Sequence, residues 1–452
     1  MGKLFGTDGI RGVVNAGLDA DLAFKVGLAA AQVLAKGKEK GEKPLVTIGK
    51  DTRISGDLLK GSLIAGLCTA GADVLDLGTL ATPGVAWVTV DQQADAGIVI
   101  SASHNPFEHN GIKIFNGQGF KLPDELEEKI EEIVLFGHNN LPMKTMGDIG
   151  RVTYMADKAS EDYIDHLEDS VDSTLGGLRI LVDCANGAAS ATARRLFNRF
   201  SKLRVDIINA DPDGVNINTK CGSTHMDALA AMVTAGGYDL GIAFDGDADR
   251  CLAVDELGNL IDGDRIMAAC GLDLKKKGKL SGDTIVATVM SNLGLHVFAK
   301  ENGMKLECTA VGDRNVLECM VEHGYAIGGE QSGHMIFLEH ATTGDGQLTA
   351  LQILALLKQE GKKASEIFGA CPQYPQVLIN ITVADNDVKK AIMASDKLWD
   401  AVKAEEAALD GKGRILVRPS GTEALMRVMV EAETQQGAQD CAQRLADLVK
   451  SL

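Results

Sequence analysis

Leu240-Gly241-Ile242-Ala243-Phe244-Asp245-Gly246-Asp247-Ala248-Asp249-Arg250-Cys251-Leu252-Ala253-Val254 admits two architectures, and its residues choose between them. Asp245, Asp247 and Asp249 match positions 1, 3 and 5 of a helix–loop–helix calcium loop, with Glu256 at position 12. Position 6 of such a loop needs glycine for its sharp turn, and here it is Arg250. The flanks, Leu240 to Phe244 and Cys251 to Val254, are short apolar runs that read as strands, not helices. The three carboxylates therefore sit on a loop between strands, spaced to converge on one ion. Alternate carboxylates repel each other unless a cation lies among them, which weighs against a merely solvated acidic turn. Hard oxygen donors of this kind suit Mg²⁺.

A second segment, Ile100-Ser101-Ala102-Ser103-His104-Asn105-Pro106, gives that ion a purpose. It places the Ser103 hydroxyl on a turn after an apolar strand, followed by Asn110-Gly111-Ile112-Lys113. A hydroxyl that carries phosphate needs a hard cation beside it. The two segments together read as a phosphoserine and its metal site, with Ser103 on a surface-accessible turn. Neighbours on an extended chain point to opposite sides, so Ser103 and His104 are not expected to form a hydrolase dyad. There is also no G-x-S-x-G elbow.

Other loops add recognition chemistry. In Gly328-Gly329-Glu330-Gln331-Ser332-Gly333-His334 the paired glycines admit a ligand close to the backbone, and Glu330 and Ser332 alternate so that both can face sugar hydroxyls. Arg418-Pro419-Ser420-Gly421-Thr422-Glu423 offers a guanidinium, hydroxyls and free amides around a glycine, a phosphate cradle without the P-loop lysine. Phe5-Gly6-Thr7-Asp8-Gly9-Ile10-Arg11-Gly12 and Gly49-Lys50-Asp51-Thr52-Arg53 each set a cation in a polar loop. His109, His225 and His323 stand apart and read as surface or structural.

The chain has 452 residues, too many for one core, and predicts three or four domains. A net charge of −18 argues against nucleic acid, which is bound through clustered Lys and Arg, and against an anionic membrane surface. Nine scattered cysteines without C-x-x-C spacing fit reduced thiols. With no apolar leader and no membrane-length apolar run, the expected place is the cytosol. Helical spacing at Leu22, Val26, Ala29 and Val33 and again at Leu59, Leu63 and Leu67 alternates with strands at Leu45 to Ile48, Val74 to Leu77 and Gly97 to Ile100. That pattern predicts a largely parallel sheet covered by helices. After a connecting helix at Asp157 to Val171 comes a second αβ block. It has strands at Ile180 to Val182, Val205 to Ile208 and Leu240 to Phe244, and a helix at Ala191 to Phe200. A third block begins near Gly263. Beyond Pro372 to Pro375, alternation at Val377, Ile379 and Ile381 opens a small α+β block.

Ser-Ala-Ser-His-Asn-Pro, Asp-Gly-Asp-Ala-Asp-Arg, Gly-Gly-Glu-Gln-Ser-Gly-His and Arg-Pro-Ser-Gly-Thr-Glu stand in the order and rough spacing of the α-D-phosphohexomutases. The resemblance to this family runs from Phe5 to the C-terminal helix. It implies an α/β fold of four domains around a central cleft: three αβ domains with mixed sheets, at 1–156, 157–257 and 258–371, and a smaller α+β domain at 372–452. It places the phosphoryl group on Ser103. It gives Mg²⁺ to Asp245, Asp247 and Asp249, with an oxygen of the Ser103 phosphate as a further ligand. Sugar recognition falls to Glu330 and Ser332, and the distal phosphate to Arg418, Ser420, Gly421 and Thr422. Arg11, His104, Lys113, Arg250 and His334 line the reaction centre, and the general base is Lys113 or Arg11.

Ile100-Ser101, Gln331, Gly214 to Asn218 leading to Cys221-Gly222-Ser223-Thr224-His225, and Val289 to Gly294 resemble the amino-sugar branch of the family. The implied reaction converts glucosamine 6-phosphate to glucosamine 1-phosphate through a 1,6-bisphosphate and supplies UDP-N-acetylglucosamine synthesis. The alternatives are a mannose or glucose phosphate preference within the family, or a calcium-binding protein without catalysis. The expected partner is a small sugar phosphate, with neither nucleic acid nor membrane, and a homodimer is compatible with the chain.

Overall fold

The computed structural model describes residues 4–6, 9–34, 42–137, 141, 143–420 and 424–452. It divides into two compact units, Met1–Val289 with Lys305–Gly369, and Met290–Met304 with Ala370–Leu452.

The first unit holds three sheets. The first has six strands in the order Ile10–Val13, His109–Asn116, Ala96–Ile100, Leu45–Lys50, Asp73–Thr79, Val152–Tyr154. The four from Ala96–Ile100 to Val152–Tyr154 are parallel, and the two at the other edge are antiparallel. The parallel expectation holds only for those four, for a simple reason. The chain between Ile100 and His109 is too short for a parallel crossover, so the next strand must return as a hairpin. That hairpin is the Ser103 turn, and it pairs Ile100 with Ile112 and Val99 with Lys113. Helices Ala20–Leu34 and Gly56–Ala70 pack on each other through glycines. A Cβ at Gly27 would lie 2.3 Å from the Leu63 carbonyl, and one at Gly66 2.1 Å from that of Phe24. Only glycine permits backbones this close.

The second sheet runs Leu260–Ile261, Cys251–Asp255, Leu240–Phe244, Arg179–Asp183, Arg204–Ile208. Leu240–Phe244 and Cys251–Asp255 are antiparallel, and Phe244 pairs with Cys251. The acidic segment is thus a hairpin loop between two buried strands, as its apolar flanks indicate. The helix expected over 191–200 is broken at Thr192, into a 3₁₀ turn at Ala188–Ala191 and a helix at Ala193–Asn198. Thr192 is fully buried, and its hydroxyl lies 2.6 Å from Gln347 Oε1. The third sheet is Lys305–Thr309, Thr284–Thr288, Ile327–Gly329, Met335–Phe337. Its last two strands form the hairpin that carries Glu330 to His334.

The second unit contains the antiparallel sheet Gln376–Thr382, Leu425–Ala432, Gly413–Pro419 and the helix Gln435–Ser451. Val377, Ile381, Val417, Val428, Leu445 and Val449 meet in its core. The alternation at Val377, Ile379 and Ile381 is borne out, with Val377 and Ile381 facing inward.

Candidate active site

The Ser103 turn ends one strand of the first sheet and faces the acidic hairpin of the second. Ser103 has φ +51°, the left-handed region that costs a residue with a side chain about 1–2 kcal/mol. In this conformation its Oγ donates to Asp245 Oδ2 at 2.5 Å. Two expectations need correcting here. The turn is not surface-accessible: Ser103 is only 2% exposed, because the acidic loop packs on its carbonyl. Ser103 and His104 also meet, with Oγ 3.3 Å from Nδ1, because the left-handed residue breaks the extended geometry that would separate them. They still do not form a hydrolase dyad. The Arg250 guanidinium, which can only donate, lies 3.1 Å from the same Nδ1 and occupies its lone pair, while the Ser103 hydroxyl donates to Asp245 and not to the imidazole. Burial, then the charges of Arg250 and Arg11, push the imidazole down to about 4, so it is neutral near pH 7.

Asp245, Asp247 and Asp249 are buried, and each offers an oxygen within 4.8 Å of the others. Burial, then the charges of Asp249 and Asp247, hold the Asp245 carboxyl well above the usual range. Asp247 Oδ2 accepts from Thr82 Oγ1 at 2.6 Å and from Lys113 Nζ at 3.1 Å, and Lys113 lies 3.6 Å from Asp249. Among the described residues Asp249 Oδ1 is buried and accepts no hydrogen bond. Three converging carboxylates with an unsatisfied buried oxygen fit a hard divalent cation such as Mg²⁺. Gly246 is required by space: a Cβ there would lie 2.5 Å from the Ser103 carbonyl oxygen.

The third loop is tied to the second. Cys251 N–H donates to the Gly333 carbonyl, and Arg250 and His334 pair in an isolated antiparallel β-bridge between the two segments. Glu330 to Gly333 is a tight turn closed at 2.9 Å, so the strand-like alternation of Glu330 and Ser332 gives way to unlike settings. Glu330 is half-buried and accepts from the Gly312 amide at 3.2 Å, while Ser332 is exposed. His334 is buried, its Nε2 facing the Gly344 amide at 3.2 Å. Arg11 is exposed on the edge strand, opposite Gly111.

In the second unit Arg418 faces Arg427 across two strands, and partial burial followed by that like charge pushes its guanidinium below the ordinary value. Ser420 is buried, and its carbonyl accepts from Lys389 Nζ at 2.9 Å. Gly421 and Thr422, with Glu423 and the pair Thr7 and Asp8, lie outside the described residues.

The structure adds residues that sequence reasoning missed. Thr82, at the start of the helix Thr82–Asp91, contacts Asp247 through both hydroxyl and amide. Asn218 donates to the carbonyls of Ser103 and Asn105. Arg53, in sequence only a cation set in a polar loop, has its side chain fully buried against Asp51 and the Ser103 turn. The available signal was the Asp-x-Arg spacing after a buried strand, where an arginine without solvent must have a partner.

Four family models match the chain: the phosphoglucomutase/phosphomannomutase α/β/α domain I at 2–139, domain II at 161–258, domain III at 262–374, and the C-terminal domain at 378–448. The chain belongs to the phosphoglucomutase/phosphomannomutase family. It is therefore a phosphohexomutase in class and in its four-part α/β fold. Among curated members, the phosphoglucosamine mutase of Desulforamulus reducens is 50% identical over 452 residues, covering 100% of both chains. That of Ruminiclostridium cellulolyticum is 52% identical over 434 residues, covering 96% of this chain and 95% of its own. A family structure from Burkholderia thailandensis superposes with TM-score 0.80 at 24% identity, covering 99% of this chain and 97% of that one. The N-acetylphosphoglucosamine mutase of Aspergillus fumigatus, in complex with GlcNAc-6P and magnesium, gives 0.70 at 19%, covering 99% and 95%. At those identities the likeness is one of fold. No helix among the described residues is long and apolar enough to cross a membrane.

Proposed function

We propose that this phosphohexomutase interconverts glucosamine 6-phosphate and glucosamine 1-phosphate through a phosphoserine at Ser103. The observation that carries the reading is the Ser103 hydroxyl, buried and aimed at three carboxylates with a neutral imidazole beside it. The amino-sugar preference is supported by the phosphoglucosamine mutases that match the chain from end to end.

In the proposed sequence the bond between phosphorus and Ser103 Oγ breaks as one forms to a hydroxyl of the sugar phosphate. The hydroxyl's proton passes to Lys113 or Arg11, whichever enters the step as the neutral base, since the protonated ammonium or guanidinium has no lone pair to receive it. The resulting 1,6-bisphosphate turns over and returns its other phosphoryl group to Ser103. Phosphoryl transfer rests on positioning and charge neutralisation more than on covalent chemistry by the protein. Asp245, Asp247 and Asp249 would hold Mg²⁺, which supplies positive charge at the transferring group. Arg250 supplies more, and its hydrogen bond keeps His104 in one tautomer. Burial of Ser103 excludes water, which protects the phosphoserine from hydrolysis. Glu330, Ser332 and His334 read the sugar, and Arg418, Ser420, Gly421 and Thr422 hold the phosphate that is not reacting. The working division of the chain is 1–156, 157–257, 258–371 and 372–452. The cytosol is the proposed setting, consistent with nine free cysteines.

Two measurements test this. Intact mass before and after phosphatase should show one removable phosphate, mapped to Ser103; tight Ca²⁺ binding without phosphate would favour a non-catalytic protein. kcat/KM should be highest on glucosamine phosphate among glucosamine, glucose and mannose phosphates, and a higher value on either of the others would overturn the substrate assignment.

A further inference from the structure

Arg53 lies outside the reacting groups, yet every N–H of its guanidinium is engaged. Its side chain is 0% exposed. Nε donates to Asp51 Oδ2 at 2.8 Å. Nη1 donates to the carbonyls of Pro106, at 2.5 Å, and His109, at 3.1 Å. Nη2 donates to those of Ser103, at 2.7 Å, and Asn105, at 2.8 Å. A guanidinium has five N–H donors in a fixed planar fork, and all five are spent here. Four go to one short turn, the one that presents Ser103.

The same turn is held from its other side. Ser101 Oγ donates to Asp51 Oδ2 at 2.6 Å and accepts from Ser103 N–H at 2.9 Å. Asn218 Nδ2 donates to the Ser103 carbonyl at 2.9 Å. Both peptide groups flanking Ser103 are therefore fixed, the amide through Ser101 and Asp51, the carbonyl through Arg53 and Asn218. This matters because Ser103 sits at φ +51°, a conformation that the chain alone disfavours and that persists only where its surroundings impose it. That conformation is also what points Oγ at Asp245.

We propose that Arg53 is a positioning residue for phosphoryl transfer: its planar fork, neutralised by Asp51, gathers four carbonyls and so holds Ser103 in the left-handed conformation that aims its oxygen at the carboxylates. A carbonyl-gathering role explains why the residue is arginine. A lysine keeps the charge but has three donors on one nitrogen and cannot span carbonyls from Ser103 to His109. The sugar loop hairpin from Ile327 to Phe337 is held by its own strand pairing, so loss of Arg53 should leave that loop in place. A displacement of about 1 Å at a reacting group costs on the order of a hundredfold in rate. The inference rests on the phosphoserine reading above, and its test separates the two.

The experiment compares wild type, Arg53→Lys, Arg53→Ala, Ser101→Ala and Ser103→Ala, each checked for folding by circular dichroism. Arg53→Lys should lower kcat about a hundredfold with KM for the sugar phosphate within twofold. Ser101→Ala, which removes one tether only, should lower kcat about tenfold, again without a KM change, and it stands in if the Arg53 variants do not fold. Free guanidinium should restore at least tenfold of the lost kcat to folded Arg53→Ala, and methylammonium should not. The proposal is overturned if folded Arg53→Lys and Ser101→Ala turn over within twofold of wild type, or if KM rises as kcat falls. An active wild type with an inactive Ser103→Ala would then leave the phosphoserine reading standing without this refinement. Full activity in Ser103→Ala would remove the phosphoserine reading itself.

Discussion

Thr82→Val isolates one interaction at the acidic loop. Threonine and valine have nearly the same shape, so packing at this buried position is kept while the hydroxyl is lost. The Thr82 hydroxyl donates to Asp247 Oδ2 at 2.6 Å. The amide contact to the Asp247 carbonyl, at 2.9 Å, survives. Lys113 remains on the same carboxylate oxygen at 3.1 Å, so the variant leaves that oxygen with a partner and the fold should stand. A hydrogen bond to an ionised group is worth about 1.5–3 kcal/mol. Groups that orient a metal ligand typically set about tenfold to a hundredfold of metal affinity. The two scales agree, since about 1.4 kcal/mol is tenfold. Titration of Mg²⁺ by calorimetry, and of Mn²⁺ by electron paramagnetic resonance, should show dissociation constants weaker by that factor. kcat should recover at saturating metal. Dissociation constants within twofold of wild type would refute the idea that the helix Thr82–Asp91 orients a metal ligand.

Three other variants probe separate parts of the account. Gly246→Ala puts a Cβ 2.5 Å from the Ser103 carbonyl oxygen and should lower both melting temperature and kcat; unchanged kcat would show that the packing of the acidic loop on Ser103 is not needed. Arg418→Ala removes the charge-assisted partner proposed for the non-reacting phosphate, so kcat/KM should fall about tenfold to a hundredfold while Ser103 stays phosphorylated. Released glucosamine 1,6-bisphosphate, assayed directly, should rise. Asp345→Asn tests a buried acid whose carboxyl is pushed up to about 6, chiefly by burial. Between the unfolded value near 3.8 and about 6 the folded state keeps a proton that the unfolded state has lost, so this group's contribution to wild-type stability falls as pH rises through that window. The variant cannot titrate there, and chemical denaturation should show its stability relative to wild type rising from pH 4 to pH 6 and flat above; a constant difference would contradict the assignment.

What the sequence disclosed was local. The acidic hairpin announces itself because three carboxylates at alternate positions between apolar runs have few other uses, and the Ser103 turn because a serine follows a fully apolar strand. What it concealed depends on groups far along the chain. The hydroxyl of Ser103 looks exposed on a polar turn, yet the acidic hairpin some 140 residues on covers the turn and Asp245 accepts from that hydroxyl. Arg53 reads as a cation in a polar loop, and apart from Asp51 its partners are carbonyls some 50 residues away. The strand His109–Asn116 is rich in residues that favour turns, so its place next to Ala96–Ile100 is set by the hairpin, not by propensity. Thr192 interrupts a helical pattern for the sake of a hydrogen bond to Gln347. Except for the hairpin at His109–Asn116, whose short link the sequence does contain, a tertiary contact overrode a local preference, and a single chain read residue by residue carries no record of that contact.

The central claim is that the phosphoryl group on Ser103 is the one the sugar receives. Enzyme carrying isotopically labelled phosphate on Ser103 can be mixed with excess unlabelled glucosamine 6-phosphate and quenched within one turnover. The account predicts that label leaves Ser103 at least as fast as kcat and is found first in the bisphosphate, then in the monophosphate. Label that stays on Ser103 while glucosamine 1-phosphate accumulates would contradict it.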